Sequence, residues 1–157
     1  MKKPEVHAPA TPYDILTGEW RYRSFLNVLP PAGNLADLLF GEGLLEMKPD
    51  ANGLISAGRL SFGQDFPMRF TGQVHAPFPG CSNVPQLSLE ATAFGVAGTK
   101  TEGWVYAYRG WLLPTWPFGT NEMPVLAGTV VRVVAHGPQS PAGVVASFVA
   151  VKFPPTH

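Results

Sequence analysis

The chain of 157 residues has little charge, one cysteine and no long apolar run, and each shortage argues against a class of protein. Asp, Glu, Lys and Arg make up only 14% of the residues and sum to a net charge of zero, whereas about a quarter is typical. Binding to nucleic-acid phosphates needs clustered Lys and Arg, which the chain lacks, so we expect no nucleic-acid partner. No apolar run approaches the ~20 residues that cross a bilayer, so we expect a soluble protein without a membrane span.

The cysteine content and the first residues bear on the compartment. Cys81 has no partner for an internal disulfide, which fits a reducing cytoplasm. Met1-Lys2-Lys3 is followed by prolines, a Glu and a His instead of an apolar core, so it does not match a secretory signal. The sequence therefore predicts a cytoplasmic protein.

Turn residues divide most of the chain into short segments with the pattern of β-strands. Residues 1–13 are rich in proline and have no hydrophobic period, which predicts a flexible arm before a single domain over residues 14–157. The predicted strands are 19–26, 40–48, 53–62, 67–75, 86–94, 103–111, 125–135 and 143–153. Only residues 34–39 have the pattern of a helical turn.

Eight strands with short sequential connections predict an all-β fold, an eight-stranded antiparallel up-and-down β-barrel, because closure removes the exposed strand edges. The same number of strands also permits a two-sheet β-sandwich. A barrel of this size is about wide enough to be filled by its own side chains or to hold one small ligand. The sequence leaves both interiors open.

Residues 103–119 hold three of the four tryptophans and two of the four tyrosines. In the first half of this segment, Trp104, Tyr106 and Tyr108 share one face of a strand because successive side chains alternate. Two prolines make the second half a loop, and loops normally lie on the surface. A surface loop as apolar as this one is typical of a binding groove or a contact with a partner.

Charged side chains are expected to face solvent unless they are paired, and this rule predicts which face of each strand points into the barrel. The charged residues predicted to face outward are Glu42, Arg59, Arg69, Glu90, Arg109 and Arg132. The opposite faces then form an aromatic interior with several phenolic hydroxyls, as in a pocket with apolar walls and a few orienting polar groups. The predicted ligand-binding residues are Trp20, Tyr22, Phe62, Phe70, Trp104, Tyr106 and Tyr108, with Trp116 and Phe118 over the mouth or base of the pocket.

Gly18-Glu19-Trp20, which opens the first predicted strand, resembles the Gly-x-Trp start of the calycin barrels, the lipocalins and avidins. The resemblance implies a calycin-like barrel in which Trp20 closes one end. The later motifs of the lipocalins are absent, so the resemblance implies no particular ligand.

Three functions are compatible with this pattern. The first is binding of a small hydrophobic or aromatic ligand inside a calycin-like barrel. The second is a small barrel cyclase or isomerase that resembles the allene oxide cyclase type, in which the cavity supplies shape and a phenol or carboxyl transfers a proton. The third is a non-catalytic interaction barrel with a filled core, whose aromatic loop docks onto another protein.

No metal, cofactor or catalytic group stands out in the sequence. Strand direction places His75 and His136 at opposite rims, which argues against a metal pair, and His7 and His157 lie in the tails. Cys81 with His75 formally resembles a thiol and base pair, but no third group to orient them is evident, so an inert loop cysteine is favoured. The chain also lacks a Cys-x-x-Cys pair, a phosphate-binding glycine loop and a Gly-x-Ser-x-Gly elbow.

The last two predicted strands, 125–135 and 143–153, are apolar on both faces. Only one face of each strand can point into the barrel, so the other needs a partner. Most homo-oligomers close by two-fold symmetry, and the sequence therefore predicts a homodimer through these strands.

Overall fold

The computed structural model describes residues 10–28, 33–76 and 87–154, which form an all-β, closed barrel of eight antiparallel strands in up-and-down order. The strands are β1 (Gly18–Leu26), β2 (Leu39–Met47), β3 (Leu54–Ser61), β4 (Pro67–His75), β5 (Ser88–Gly95), β6 (Val105–Leu112), β7 (Val125–Arg132) and β8 (Val145–Lys152). Short 3₁₀ helices, Asp14–Leu16 and Leu35–Leu38, precede β1 and β2. The predicted barrel is confirmed, and the two strands that a sandwich would separate, β1 and β8, pair along their length from Trp20–Lys152 to Leu26–Ala146.

Several sequence features fall outside the described residues. These are Cys81, His7, His157 and residues 1–9 of the predicted arm. Among the described residues, no helix has the length and apolar character needed to cross a membrane.

Side chains alternate between the core and the outer surface along the strands, as the pleat requires. The inward positions of β4 and β5, for example, include the buried Met68, Phe70, Val74, Leu89 and Ala93. The prediction that charged residues face outward holds for Arg59, Arg69, Glu90 and Arg109, which are exposed, and for Glu42, which lies exposed at a rim.

Arg132 is the exception, because it is buried with 8% of its surface exposed, and the outward prediction for this residue is wrong. It lies at the end of β7, in phase with the buried Leu126 and Val130. Both faces of this strand are apolar, so its pairing with β6 sets the phase: Arg132 lies opposite the buried Tyr106 and points the same way as Val130, two positions earlier. At this depth the guanidinium finds polar partners, which make its burial tolerable.

Close packing in the middle of the barrel requires two opposed glycines. Gly110 of β6 pairs directly with Gly128 of β7, and a Cβ built on Gly110 would come within 2.8 Å of the Phe148 ring. A Cβ on Gly128 would lie 2.0 Å from the carbonyl oxygen of Arg109. Glycine is therefore required at both positions by close approach, to the Phe148 ring at Gly110 and to the backbone of β6 at Gly128.

One end of the barrel, called the closed end below, is sealed by Trp20 and the first 3₁₀ helix. Trp20 is fully buried and donates a hydrogen bond from its indole nitrogen to the Leu16 carbonyl oxygen at 3.0 Å. The Lys152 ammonium lies 5.9 Å from the indole ring centre and donates to the Ile15 carbonyl at 2.6 Å. A ligand would therefore have to enter from the other end of the barrel, the open end, where β1, β3, β5 and β7 finish.

Candidate ligand-binding pocket

A pocket of about 410 Å³ occupies the open end of the barrel. Its volume lies in the range of ~300–1,000 Å³ that is usual for small-molecule sites. The aromatic side chains around it are Tyr22, Phe40, Phe62, Phe66, Trp104, Tyr106 and Tyr108. The polar side chains around it are Ser24, Glu42, Arg132, His136 and Ser140. Apolar walls with a few polar groups are what a binding site for a small organic molecule requires.

The aromatic wall of the pocket arises because side chains alternate between the two faces of the chain in β6 and just before it. Trp104, Tyr106 and Tyr108 point inward at successive even positions, and the Trp104 and Tyr106 rings pack edge to face with centroids 6.2 Å apart. Phe40, at the start of β2, packs edge to face on Tyr106 at 6.0 Å. Phe66 lies 5.9 Å from the Trp104 ring at the mouth. These contacts stabilise the wall without a ligand, so the pocket is preformed.

Tyr22 and Tyr108 form the floor of the pocket, and Phe148 packs against both of them. The Tyr22 and Phe148 rings stack with centroids 5.8 Å apart, and Tyr108 meets both edge to face. Burial raises the pKa of Tyr22 to about 12, although the hydroxyls of Ser24 and Tyr108 partly offset this effect. Burial, together with the neighbouring Tyr22, also raises the pKa of Tyr108 well above its usual value. The floor therefore presents neutral phenols at physiological pH.

Arg132 brings a buried positive charge to the pocket wall. Its Nε donates to the Tyr106 hydroxyl at 3.3 Å, and its Nη1 donates to the Pro141 carbonyl at 3.2 Å. The guanidinium carbon lies 5.1 Å from the centre of the Phe40 ring, which is a cation–π distance. Among the residues that the structure describes, no carboxylate forms a salt bridge with Arg132.

His136 completes the polar side of the pocket. Its ring stacks on Trp104, with centroids 4.1 Å apart and an angle of 13° between the planes. Its Nε2 lies 2.7 Å from the Tyr106 hydroxyl oxygen. Burial lowers the pKa of His136, and the positive charge of Arg132 lowers it further, which favours the neutral ring. Because Tyr106 accepts from Arg132, its own proton is free to be donated to Nε2 of a neutral His136.

The structure brings five of the predicted ligand-binding residues together and separates the other four. Those around the pocket are Tyr22, Phe62, Trp104, Tyr106 and Tyr108. Phe70 lies fully buried behind the floor, with its ring 5.5 Å from that of Tyr108, and Trp20 seals the closed end. Trp116 and Phe118, in the loop between β6 and β7 at the closed end, are 80% and 97% exposed and do not reach the pocket.

Ser24, Phe40, Arg132 and His136 line the pocket but were not predicted as binding residues. Ser24 belongs to the inward face of β1, whereas Phe40 lies at the β-bulge where the pairing of β1 and β2 shifts, so alternation along β2 does not place it in the pocket. His136 lies beyond β7 in a loop, so strand alternation carries no signal for it. Arg132 was misplaced because β7 is apolar on both faces, so the sequence offered only the rule for charged residues, whereas the pairing with β6 decides the phase.

The described residues bring together no other reactive cluster. Among them, no group of three or more His, Cys, Asp and Glu side chains could hold a metal ion. His75 lies at the end of β4, at the opposite rim from His136, with its Nε2 4.0 Å from a Glu90 carboxylate oxygen. A larger depression of about 670 Å³ also lies on the outer wall near the exposed Glu90 and Arg109, but its walls are mainly Thr, Ala and Val side chains.

The closed antiparallel barrel, with Trp20 buried at one end, is compatible with a calycin-like fold. The pocket at the other end, between Trp104, Arg132 and His136, is the place where a ligand would bind. Comparison of the chain with models of known protein families, with curated protein sequences and with solved structures found no match.

Proposed function

We propose that this barrel binds a small aromatic or apolar molecule in the pocket at its open end. The observation that carries the proposal is the preformed cavity of about 410 Å³ with aromatic walls and a small polar group of Arg132, Tyr106 and His136. Neutral phenols on the floor and a buried guanidinium on the wall provide donors that fix the orientation of a guest. A cytoplasmic location, as expected from the cysteine content, is part of the same proposal.

The alternative of a filled interaction barrel is less well supported. The half of the barrel nearest the closed end is packed by Trp20, Leu45, Phe70 and other buried side chains, whereas the half nearest the open end contains the pocket. The exposed Trp116 and Phe118 remain free to contact a protein partner, and such a contact is compatible with ligand binding at the other end.

Ser140→Trp is expected to abolish uptake of the neutral fluorescent probe N-phenylnaphthylamine. Ser140 lies at the mouth, and only its backbone forms hydrogen bonds with the described residues, so an indole there obstructs entry without disturbing the core. We expect at least a roughly tenfold loss of probe affinity, because the contacts inside the pocket cannot form. Fluorescence titration measures the change, and native mass spectrometry of freshly purified protein tests for a ligand retained from the cell.

The matched control is Thr115→Trp, which places the same indole in the exposed loop at the closed end. This variant should bind the probe like the unmodified protein. If the unmodified protein takes up neither this neutral probe nor its sulfonated analogue, or if both tryptophan variants bind equally well, ligand binding in the pocket is refuted.

Proton-transfer catalysis, as in a small cyclase or isomerase, is the second candidate function. It is favoured by the 2.7 Å contact between the Tyr106 hydroxyl and His136, because a neutral imidazole can accept a proton and a phenol can donate one. Incubation with a panel of polyenes, followed by chromatography, separates the two functions. A new isomer formed by the unmodified protein but not by a Tyr106→Phe variant would favour catalysis over binding alone.

We also propose that two chains pair through the outer faces of β7 and β8. The outward positions of these strands are Val125, Ala127, Thr129, Val131, Val145, Ser147, Val149 and Val151. None of them is charged, and Val145 and Val149 are 42% and 36% exposed. The outward Trp111 of β6, opposite Ala127, extends this surface. A standard interface buries ~800 Å² per partner, so such a contact would have to extend beyond these two strands.

Val149→Lys is expected to release monomers. Val149 lies between Ala127 of β7 and the exposed Arg23 of β1, so a lysine there would add a second positive charge to the contact. Val28→Lys places the same charge on an exposed valine outside this face and should leave the assembly intact. Light scattering coupled to size-exclusion chromatography measures the mass. An unmodified protein that is monomeric at micromolar concentration would contradict the dimer.

A further inference from the structure

Arg132 is a buried cation whose charge the described part of the chain does not neutralise. Its two hydrogen bonds use Nε and Nη1 and go to neutral oxygens, those of Tyr106 and Pro141. Nη2 has no hydrogen bond to the described residues. A guanidinium has five N–H donors in a planar fork, and burying it without a counter-charge is costly.

The other charged group in the pocket lining, Glu42, does not supply this counter-charge. Its carboxylate forms an ion pair with Arg23 at 3.0 Å, on the half-exposed rim. His136, the neighbouring titratable group, has a lowered pKa that favours the neutral form. Arg132 is therefore the one charge among the described pocket residues that lacks an opposite charge.

The surroundings of Arg132 hold its guanidinium at one side of the pocket. The Phe40 ring lies on it at 5.1 Å, the Tyr106 ring centre is 5.9 Å away, and the Pro141 carbonyl fixes Nη1. A donor group held in this way before a ligand arrives costs little to order on binding. A guanidinium fork binds best those oxyanions that present two oxygen atoms to its parallel N–H donors.

We propose that the ligand carries an anionic group, a carboxylate or a sulfonate, on an aromatic or apolar body, and that Arg132 binds this anionic group. The inference rests on the proposed ligand-binding function and specifies the chemical class of the ligand. The aromatic wall from Phe40 to Trp104 contacts the apolar body of the ligand, while the guanidinium binds the anionic group beside the Tyr106 hydroxyl. A dianionic phosphate is a poorer match, because one guanidinium offers a single positive charge.

Two probes with the same ring system separate charge recognition from apolar binding. Anilinonaphthalene sulfonate carries a sulfonate, and N-phenylnaphthylamine is its neutral counterpart. The unmodified protein should bind the sulfonate more tightly than the neutral probe. In Arg132→Met, affinity for the sulfonate should fall by about 10- to 100-fold, the usual effect of losing a hydrogen bond to a charged group, while the neutral probe changes less than about threefold.

Arg109→Met is the matched control, because Arg109 lies on the neighbouring strand but faces outward. It should leave the affinities for both probes unchanged. Arg132→Lys keeps the charge without the planar fork and should retain part of the preference for the sulfonate. Ser140→Trp should abolish binding of both probes, which confirms that the signal comes from the pocket and not from the apolar outer face.

The possible outcomes are distinguishable. Equal or tighter binding of the neutral probe by the unmodified protein overturns the anionic ligand but leaves the binding function intact, and this comparison needs no variant. A loss of both probes to the same extent in folded Arg132→Met would also overturn it, because Arg132 would then only shape the pocket. If neither probe binds to the unmodified protein, the binding function itself is refuted.

Discussion

Trp20→Ala should lower the free energy of unfolding by about 3–5 kcal/mol, the usual cost of truncating a fully buried large aromatic residue to alanine. Trp20 is fully buried at the closed end, where its removal leaves a cavity and orphans the Leu16 carbonyl. Globular domains are stable by only ~5–15 kcal/mol, so this single change removes a large share of the total. Urea denaturation followed by circular dichroism measures the loss.

Trp116→Ala is the matched control at the same end of the barrel. Its indole is 80% exposed, and the hydrogen bond that the residue makes to Glu122 comes from the backbone nitrogen, which the change retains. The free energy of unfolding should therefore change by less than about 0.5 kcal/mol. Equal losses in the two variants would contradict the assignment of Trp20 as the residue that seals the barrel.

The barrel itself could be predicted from the sequence because its strands are short, regular and separated by turn residues. Alternation identified the inward positions of β4, β5 and β6, where charged residues mark one face and apolar residues the other. This rule fails at β7, because Arg132 is the only charge in the strand and lies at its end. There the pairing with β6, which sets Arg132 opposite the buried Tyr106, is stronger than the preference of one arginine for solvent.

The pocket was predictable only in part, for a physical reason. Alternation shows that a side chain points inward, but it does not show how deep in the barrel the side chain lies. Trp20 and Tyr22 are two residues apart on the same face, yet one seals the closed end and the other forms the pocket floor. Depth depends on the register of the strands around the barrel, and His136 enters the pocket from a loop. Neither the depth of a side chain nor the position of His136 could therefore be derived from a local pattern.

Trp116 and Phe118 illustrate the opposite difficulty. Their loop was predicted correctly from its prolines, but a loop between β6 and β7 lies at the end away from the pocket. Once the mouth is known to be at the open end, the strand count alone places these two aromatic side chains at the closed end. Which end is the mouth depends on where Trp20 packs, and the tertiary structure was needed to show it.

The protein is expected to lose stability steeply in alkaline solution because two buried phenols form the pocket floor. Unfolded Tyr22 ionises near pH 10, whereas burial raises its pKa in the folded protein to about 12. Above pH ~10 the unfolded chain therefore releases a proton that the folded protein keeps, which favours unfolding. The contribution of Tyr22 is complete below that pH and is lost progressively up to pH ~12, by about 3 kcal/mol. Tyr108 acts in the same direction.

Tyr22→Phe isolates this contribution, because phenylalanine keeps the ring contacts with Phe148 and has no proton to lose. Urea denaturation of the variant and of the unmodified protein at a series of pH values from about 9 to 12 measures the effect. The free energy of unfolding of the variant should fall less across that range, and the difference between the two falls should be about 3 kcal/mol. Tyr108→Phe should also flatten the profile, and the double variant should flatten it most. Identical profiles for the unmodified protein and Tyr22→Phe would mean that the floor is reached by water and that its phenols ionise as freely as in the unfolded chain.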